Sequence, residues 1–139
     1  MSGKDEGGKG EGGTDGWHAR LMAAANADPA FASASAWLDT RLVLRLGAQA
    51  DYLKLYRGRV IDAMAYDPNP NMLGYDVLVT APDAVWAEVL AGRLSFGRAS
   101  ATGLVSMDGS RVEIERSYKA VQILGSTLLP AATLAGGTP

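Results

Sequence analysis

The stretch from Gly74 to Gly109, GYDVLVTAPDAVWAEVLAGRLSFGRASATGLVSMDG, reads as strand, helix, loop, strand. Tyr75 to Thr80 is a short apolar run rich in β-branched residues, long enough for a strand and too short for a helix. Pro82 suits the first helical position, where its missing N–H costs nothing, and Asp83 complements the positive end of the helix dipole. Val85, Trp86, Val89 and Leu90 then form one apolar stripe. Gly92 follows them where a left-handed cap is expected, so the helix is placed at Pro82–Ala91. Arg93 to Ser100 reads as a loop, and Thr102 to Asp108 alternates again as a strand that Gly109 ends.

Upstream, Trp37 to Leu46 alternates, with Leu38, Thr40, Leu42, Leu44 and Leu46 on one face. Gly47 to Ala50 is a turn, and Asp51 to Tyr56 is a second strand with Leu53 and Leu55 inward. Arg57-Gly58 makes a tight hairpin into a third strand, Arg59 to Tyr66. Three strands joined by short turns make an antiparallel meander. Asp67 to Gly74 holds Asp-Pro-Asn-Pro-Asn and reads as a surface loop. Before the meander, Asp15 to Ala27 reads as a helix and Ala30 to Ser35 as a small-residue connector. After the last strand, Ile114, Tyr118, Val121 and Leu128 lie on a helical stripe. Val112 and Ile114 also alternate with charges as a strand would, so the pattern admits either element; length favours a helix over about Ser110 to Thr127, which Pro130 stops. Met1 to Gly16 is Gly-rich and polar, with nothing to bury, and is expected to be disordered; 130–139 is expected to fray.

The central stretch resembles the sterol-carrier-protein-2-like lipid-binding family. The residues that carry the likeness are Asp76-Val77, Trp86, Ala91-Gly92-Arg93-Leu94, Phe96, and Gly103-Leu104-Val105-Ser106-Met107-Asp108-Gly109. It extends back to Trp37 and forward to Leu128. The chain departs from the family at Ser110-Arg111, where an acidic turn is usual. The resemblance implies a curved sheet covered by helices around an apolar tunnel for acyl chains, sterols or similar ligands. It divides the chain into a tail (1–16), an N-terminal helix and connector (17–30), the lipid-binding domain (31–129) and a C-terminal tail (130–139).

Composition narrows the alternatives. The 139 residues hold no cysteine, which excludes disulfides, thiolate nucleophiles and Cys-ligated zinc and accords with a reducing cytoplasm. A net charge of −2 gives no reason to expect nucleic acid as partner, and no run approaches the length of a membrane span or a secretory signal. The one histidine, His18, cannot build a triad or a multi-histidine metal site, and it reads as a surface residue. Glu113-x-Glu115 and the Asp62/Asp67 pair read as solvated faces, not metal ligands.

The expected fold is therefore α+β: a twisted, mainly antiparallel five-stranded sheet with helices on one face, enclosing an apolar cavity. The expected function is non-catalytic binding or transfer of a fatty acyl, sterol or other lipid-like ligand, with no cofactor, no metal and no stable membrane insertion. The lining is expected from Leu42, Leu44, Leu53, Leu55, Ile61, Val77, Val79, Trp86, Leu90, Phe96, Val105, Met107 and Val121. Arg93 or Arg98 would meet a ligand carboxylate or phosphate at the mouth. Two alternatives stand beside this reading. One is a cofactor-free enzyme using the pocket to orient a hydrophobic substrate, with Asp62, Tyr66 or Tyr118 as acid or base. The other is a homodimeric interaction module, with Leu78 and Leu104 on the outward register.

Overall fold

The structure, a computed structural model, describes residues 13–67 and 74–135. Most of the expected Gly-rich tail, most of the Asp67–Gly74 loop and residues 136–139 lie outside the described residues. Five strands form one sheet: β1 (Asp39–Leu46), β2 (Gln49–Tyr56), β3 (Arg59–Ala65), β4 (Val77–Ala81) and β5 (Ser106–Gly109). Their order is β3-β2-β1-β4-β5, antiparallel except where β1 and β4 run side by side in parallel. The helices are α1 (Gly13–Asn26), α2 (Pro29–Ala34), α3 (Asp83–Leu90), α4 (Phe96–Ala101), α5 (Arg111–Ile123) and α6 (Leu129–Ala135), with a π-helical turn, Leu124–Leu128, between the last two.

The two hairpins follow from their turn residues. Arg57 and Gly58 both take positive φ, 46° and 89°, as a two-residue turn between Tyr56 and Arg59 requires. Gly47, at φ 74°, opens the turn between Leu46 and Gln49. Alternation then sends Leu42, Leu44, Leu46, Leu53, Leu55, Val77 and Val79 to the face covered by helices, where all are buried.

On the other face the register lines up Met64, Tyr52, Val43 and Leu78 across four strands. Burial pushes the Tyr52 phenol up. Beside that row run Asp62, Lys54 and Arg41. Arg41 closes on Asp76 in four hydrogen bonds: its backbone N–H to Oδ2 at 2.8 Å, Nε to Oδ2 at 3.3 Å, Nη2 to Oδ1 at 3.2 Å, and its carbonyl accepting the Asp76 N–H at 2.8 Å. This clamp fixes the entry of β4 beside β1.

Several elements differ from the sequence expectation. Trp37 does not begin a strand: it sits in the turn after α2, 91% exposed. The small-residue connector is the helix α2, because the Asp28 carboxylate accepts from the N–H groups of Ala30 and Phe31 and Phe31 has a core site to fill. The Arg93–Ser100 loop contains most of α4, nucleated by Ser95 Oγ accepting the Arg98 N–H. The last strand is shorter than Thr102–Asp108, so Leu104 lies in the turn before it and does not extend the row that holds Leu78.

Ile61 is 49% exposed, not inward. The β2–β3 register slips between Lys54 and Leu55, so Val60 pairs with Leu55 and Ile61 is the extra residue of a bulge. Asn26, at the end of α1, holds Val60 there: its amide donates to the Val60 carbonyl at 3.0 Å and accepts the Val60 N–H at 2.8 Å.

Pro130 does not stop the last helix. The turn before it widens to π geometry, with the Leu129 N–H reaching back five residues to the Leu124 carbonyl. That wider spiral relieves the clash a proline ring makes with the carbonyl four residues earlier. The helix runs on to Ala135, with Ala132 buried. Gly125 lies in the same turn, where a Cβ would overlap the ring of buried Phe96.

Two outcomes follow. Gly125→Ala forces Phe96 out of place, and urea unfolding is expected to show a loss of ~1–3 kcal/mol. Burial pushes the Asp76 carboxyl up, but Arg41 outweighs it through side-chain and backbone hydrogen bonds and its charge, and holds Asp76 below its ordinary 3.8. A carboxyl lowered by folding stabilises above its unfolded value and loses that contribution as pH falls through the folded one. Asp76→Asn is therefore expected to lower Tm at pH 7. The gap to the parent should narrow in scans run progressively further below pH 3.8.

Candidate functional site

The candidate site is a cleft at one end of the sheet, between the β1–β2 turn and helices α3 and α6. Its outer part is an open space of about 320 Å³ bounded by Gly47, Ala48, Asp83, Ala87 and Leu90. An inner space of about 40 Å³ lies beyond it towards the core, walled by Leu44 and Leu129 and reaching Asp51. Leu46, Gln49, Trp86 and Thr133 line both parts, so the two adjoin.

Local sequence puts each wall in place. Leu44 and Leu46 are inward residues of β1, and the positive φ of Gly47 lets the chain turn against Trp86, whose indole lies 3.5 Å from where a Cβ on Gly47 would stand. Pro82 immediately precedes α3. At its far end the Ala91 N–H donates to the Ala87 carbonyl and the Gly92 N–H to that of Val89. Trp86 meets Phe96 edge-to-face, ring centres 6.4 Å apart. The Trp17 indole N–H donates to Thr133 Oγ1 at 3.0 Å, tying α1 to α6 behind the inner space.

Of the residues expected to line a tunnel, Leu44, Trp86 and Leu90 border this cleft. Phe96 borders a second opening of about 230 Å³, with Val89, Leu94 and Ser126. Leu42, Leu53, Leu55, Val77, Val79, Val105 and Val121 are buried in the same apolar cluster, and Met107 is partly buried against it. Ile61 lies outside it, displaced by the bulge.

The polar residues singled out in the sequence stand elsewhere. Arg93 is engaged by Glu88, at 2.8 Å for its closest pair, which raises its pKa. Arg98 is exposed on α4. Asp62 is exposed on the far face of the sheet, Tyr66 follows β3, and Tyr118 is exposed on α5, so these three do not converge. Among the described residues no three His, Cys, Asp or Glu side chains are grouped to hold a metal, and no helix is long and apolar enough to cross a membrane.

The sequence reading missed the polar floor. His18 is 4% exposed, not a surface residue, and its Nε2 lies 2.8 Å from Asp51 Oδ1. α1 packs over β3 with Leu21 and Ala25 in the core, which carries His18 inside. The signal was present: if Leu53 and Leu55 face inward, so does Asp51, and a buried carboxylate calls for a partner.

No family model matches the sequence, and no curated protein is significantly similar to it. Solved structures do match. A crystal structure of sterol carrier protein 2 superposes with a TM-score of 0.65 at 22% identity, covering 81% of this chain and 93% of that one. A conserved hypothetical protein from Thermus thermophilus gives a TM-score of 0.62 at 21% identity, over 91% of this chain and 90% of its own. The sterol carrier protein domain 2 of Helicoverpa armigera gives 0.50 at 15% identity, over 79% and 85%. The likeness seen in the central motif thus holds for the backbone: over most of its length the chain has the fold of sterol carrier protein 2.

Proposed function

We propose that this protein binds a hydrophobic, lipid-like ligand without catalysis, and that the ligand enters through the cleft between the β1–β2 turn and α3. The observation that carries the reading is an open, Trp86-walled cleft that adjoins a smaller space reaching towards the core, in a chain with the fold of a sterol carrier. Affinity would come from removing apolar ligand surface from water, roughly 0.8 kcal/mol per buried methylene. Leu44, Trp86 and Leu90 supply the first apolar contacts, and Phe96 stands behind Trp86. Leu42, Leu53, Leu55, Val77, Val79, Val105, Met107 and Val121 form the apolar interior that a longer ligand would meet by displacing side chains.

The test is native mass spectrometry of the purified protein followed by lipid extraction, then titration with a fatty acid and a fatty alcohol. A co-purifying or added amphiphile bound one to one is expected. Ala87 is exposed on α3 and lines the outer cleft, so Ala87→Trp fills the entrance without disturbing the core. It is expected to weaken binding roughly tenfold or more, the effect of excluding a few methylenes. A protein that binds no amphiphile sinks the proposal, and undiminished binding by the Ala87→Trp variant moves the site elsewhere.

A further inference from the structure

The His18–Asp51 pair is an expensive thing to place under an apolar cleft. Both residues are almost wholly buried, at 4% and 6% exposure. Burying a carboxylate costs unless its oxygens are satisfied. Asp51 meets that cost on one side only. His18 Nε2 is 2.8 Å from Oδ1, and the Gln49 amide donates to the same Oδ1 at 3.4 Å. No hydrogen bond from the described residues reaches Oδ2. Asp51 lines the inner space, where Gln49 and Thr133 are other polar residues and Leu44, Trp86 and Leu129 are apolar.

The geometry points to Asp51 as the anchor for the polar head of the ligand, and to a head that donates a hydrogen bond: a neutral hydroxyl, as in a long-chain alcohol. The inference rests on the carrier reading and sharpens its ligand class.

The inner space, about 40 Å³, suits a head of that size and not a chain. The apolar body then lies in the outer cleft against Trp86 and Leu90. A hydroxyl donates to the open carboxylate oxygen and completes the satisfaction of Asp51. A ligand carboxylate would instead set two groups that only accept against each other, with like charge, in a poorly solvated space. His18 serves as a positioning residue. Its bond to Oδ1 fixes the carboxylate in the wall, and the Trp17 ring packs edge-to-face on its imidazole, ring centres 4.6 Å apart.

Three ligands of one chain length test this on the full-length protein by calorimetry: 1-decanol, 1-methoxydecane and decanoate. The ether keeps the oxygen and loses the donor; the acid replaces it with an anion. Decanol is expected to bind roughly tenfold or more tighter than either, the usual effect of one hydrogen bond to a charged group. In Asp51→Asn the preference for decanol over decanoate is expected to collapse to within about threefold, since an amide also donates. A pair that served only to hold α1 on the sheet would lower Tm when mutated and leave the ligand ratios unchanged.

Equal binding of the three ligands, tighter binding of decanoate, or an unchanged ratio in Asp51→Asn overturns the anchor and leaves the carrier standing. Failure of all three to bind overturns both. Should Asp51→Asn not fold, the parent series decides, together with loss of decanol binding in Ala87→Trp, which places the preference in this cleft.

Discussion

The parallel contact between β1 and β4 joins a self-contained meander to the remainder of the chain. β1, β2 and β3 are held by adjacent hairpins, whereas β4 follows β3 only after the connection of residues 66–76. A one-residue slip there would send Val77 and Val79 to the outer face and leave Leu42 and Leu44 without neighbours. The Arg41–Asp76 clamp prevents this by combining main-chain and guanidinium bonds on one carboxylate immediately before the first paired position, Leu42 with Val77. Because α3 follows β4 after a single residue, the same register decides where Trp86 stands relative to Gly47, and hence the shape of the cleft.

The helical layer depends on a second fit. α4 is only six residues and holds little on its own, but it delivers Phe96 to a place where the last helix has no side chain. Gly125 and the π turn work together there. One lets the ring approach the backbone, and the other carries the helix past Pro130 so that Leu129 and Ala132 reach the core beside α1. α1 and α6 meet through Trp17 and Thr133 and form the back wall of the inner space. The cleft is thus assembled from the two ends of the described chain, the β1–β2 turn and α3.

Much of this was legible in the sequence, because strands buried on one side advertise themselves by period two. The alternation in β1, the hairpin at Arg57-Gly58 and the stripe on α3 gave the sheet, its helical face and the placement of Trp86. What could not be read depended on single side chains acting at a distance. The bulge at Ile61 is stabilised by Asn26, thirty-four positions from Val60. α2 and α4 are too short to show periodicity and owe their existence to Asp28 and Ser95 as caps. His18 is ordinary in its own surroundings, and only its partner on β2 explains why it is inside. Pro130 was read by its local rule, which a π turn suspends.

The bulge has a consequence for association between copies. A sheet with free edges invites another strand to add to it. The edge strand β3 is kinked at Ile61, and both main-chain polar groups of Val60 are already taken by the Asn26 amide. At the opposite edge β5 is only four residues long. One side chain on the first helix thus imitates a neighbouring strand for the span of one residue, and in doing so helps keep the sheet at five strands.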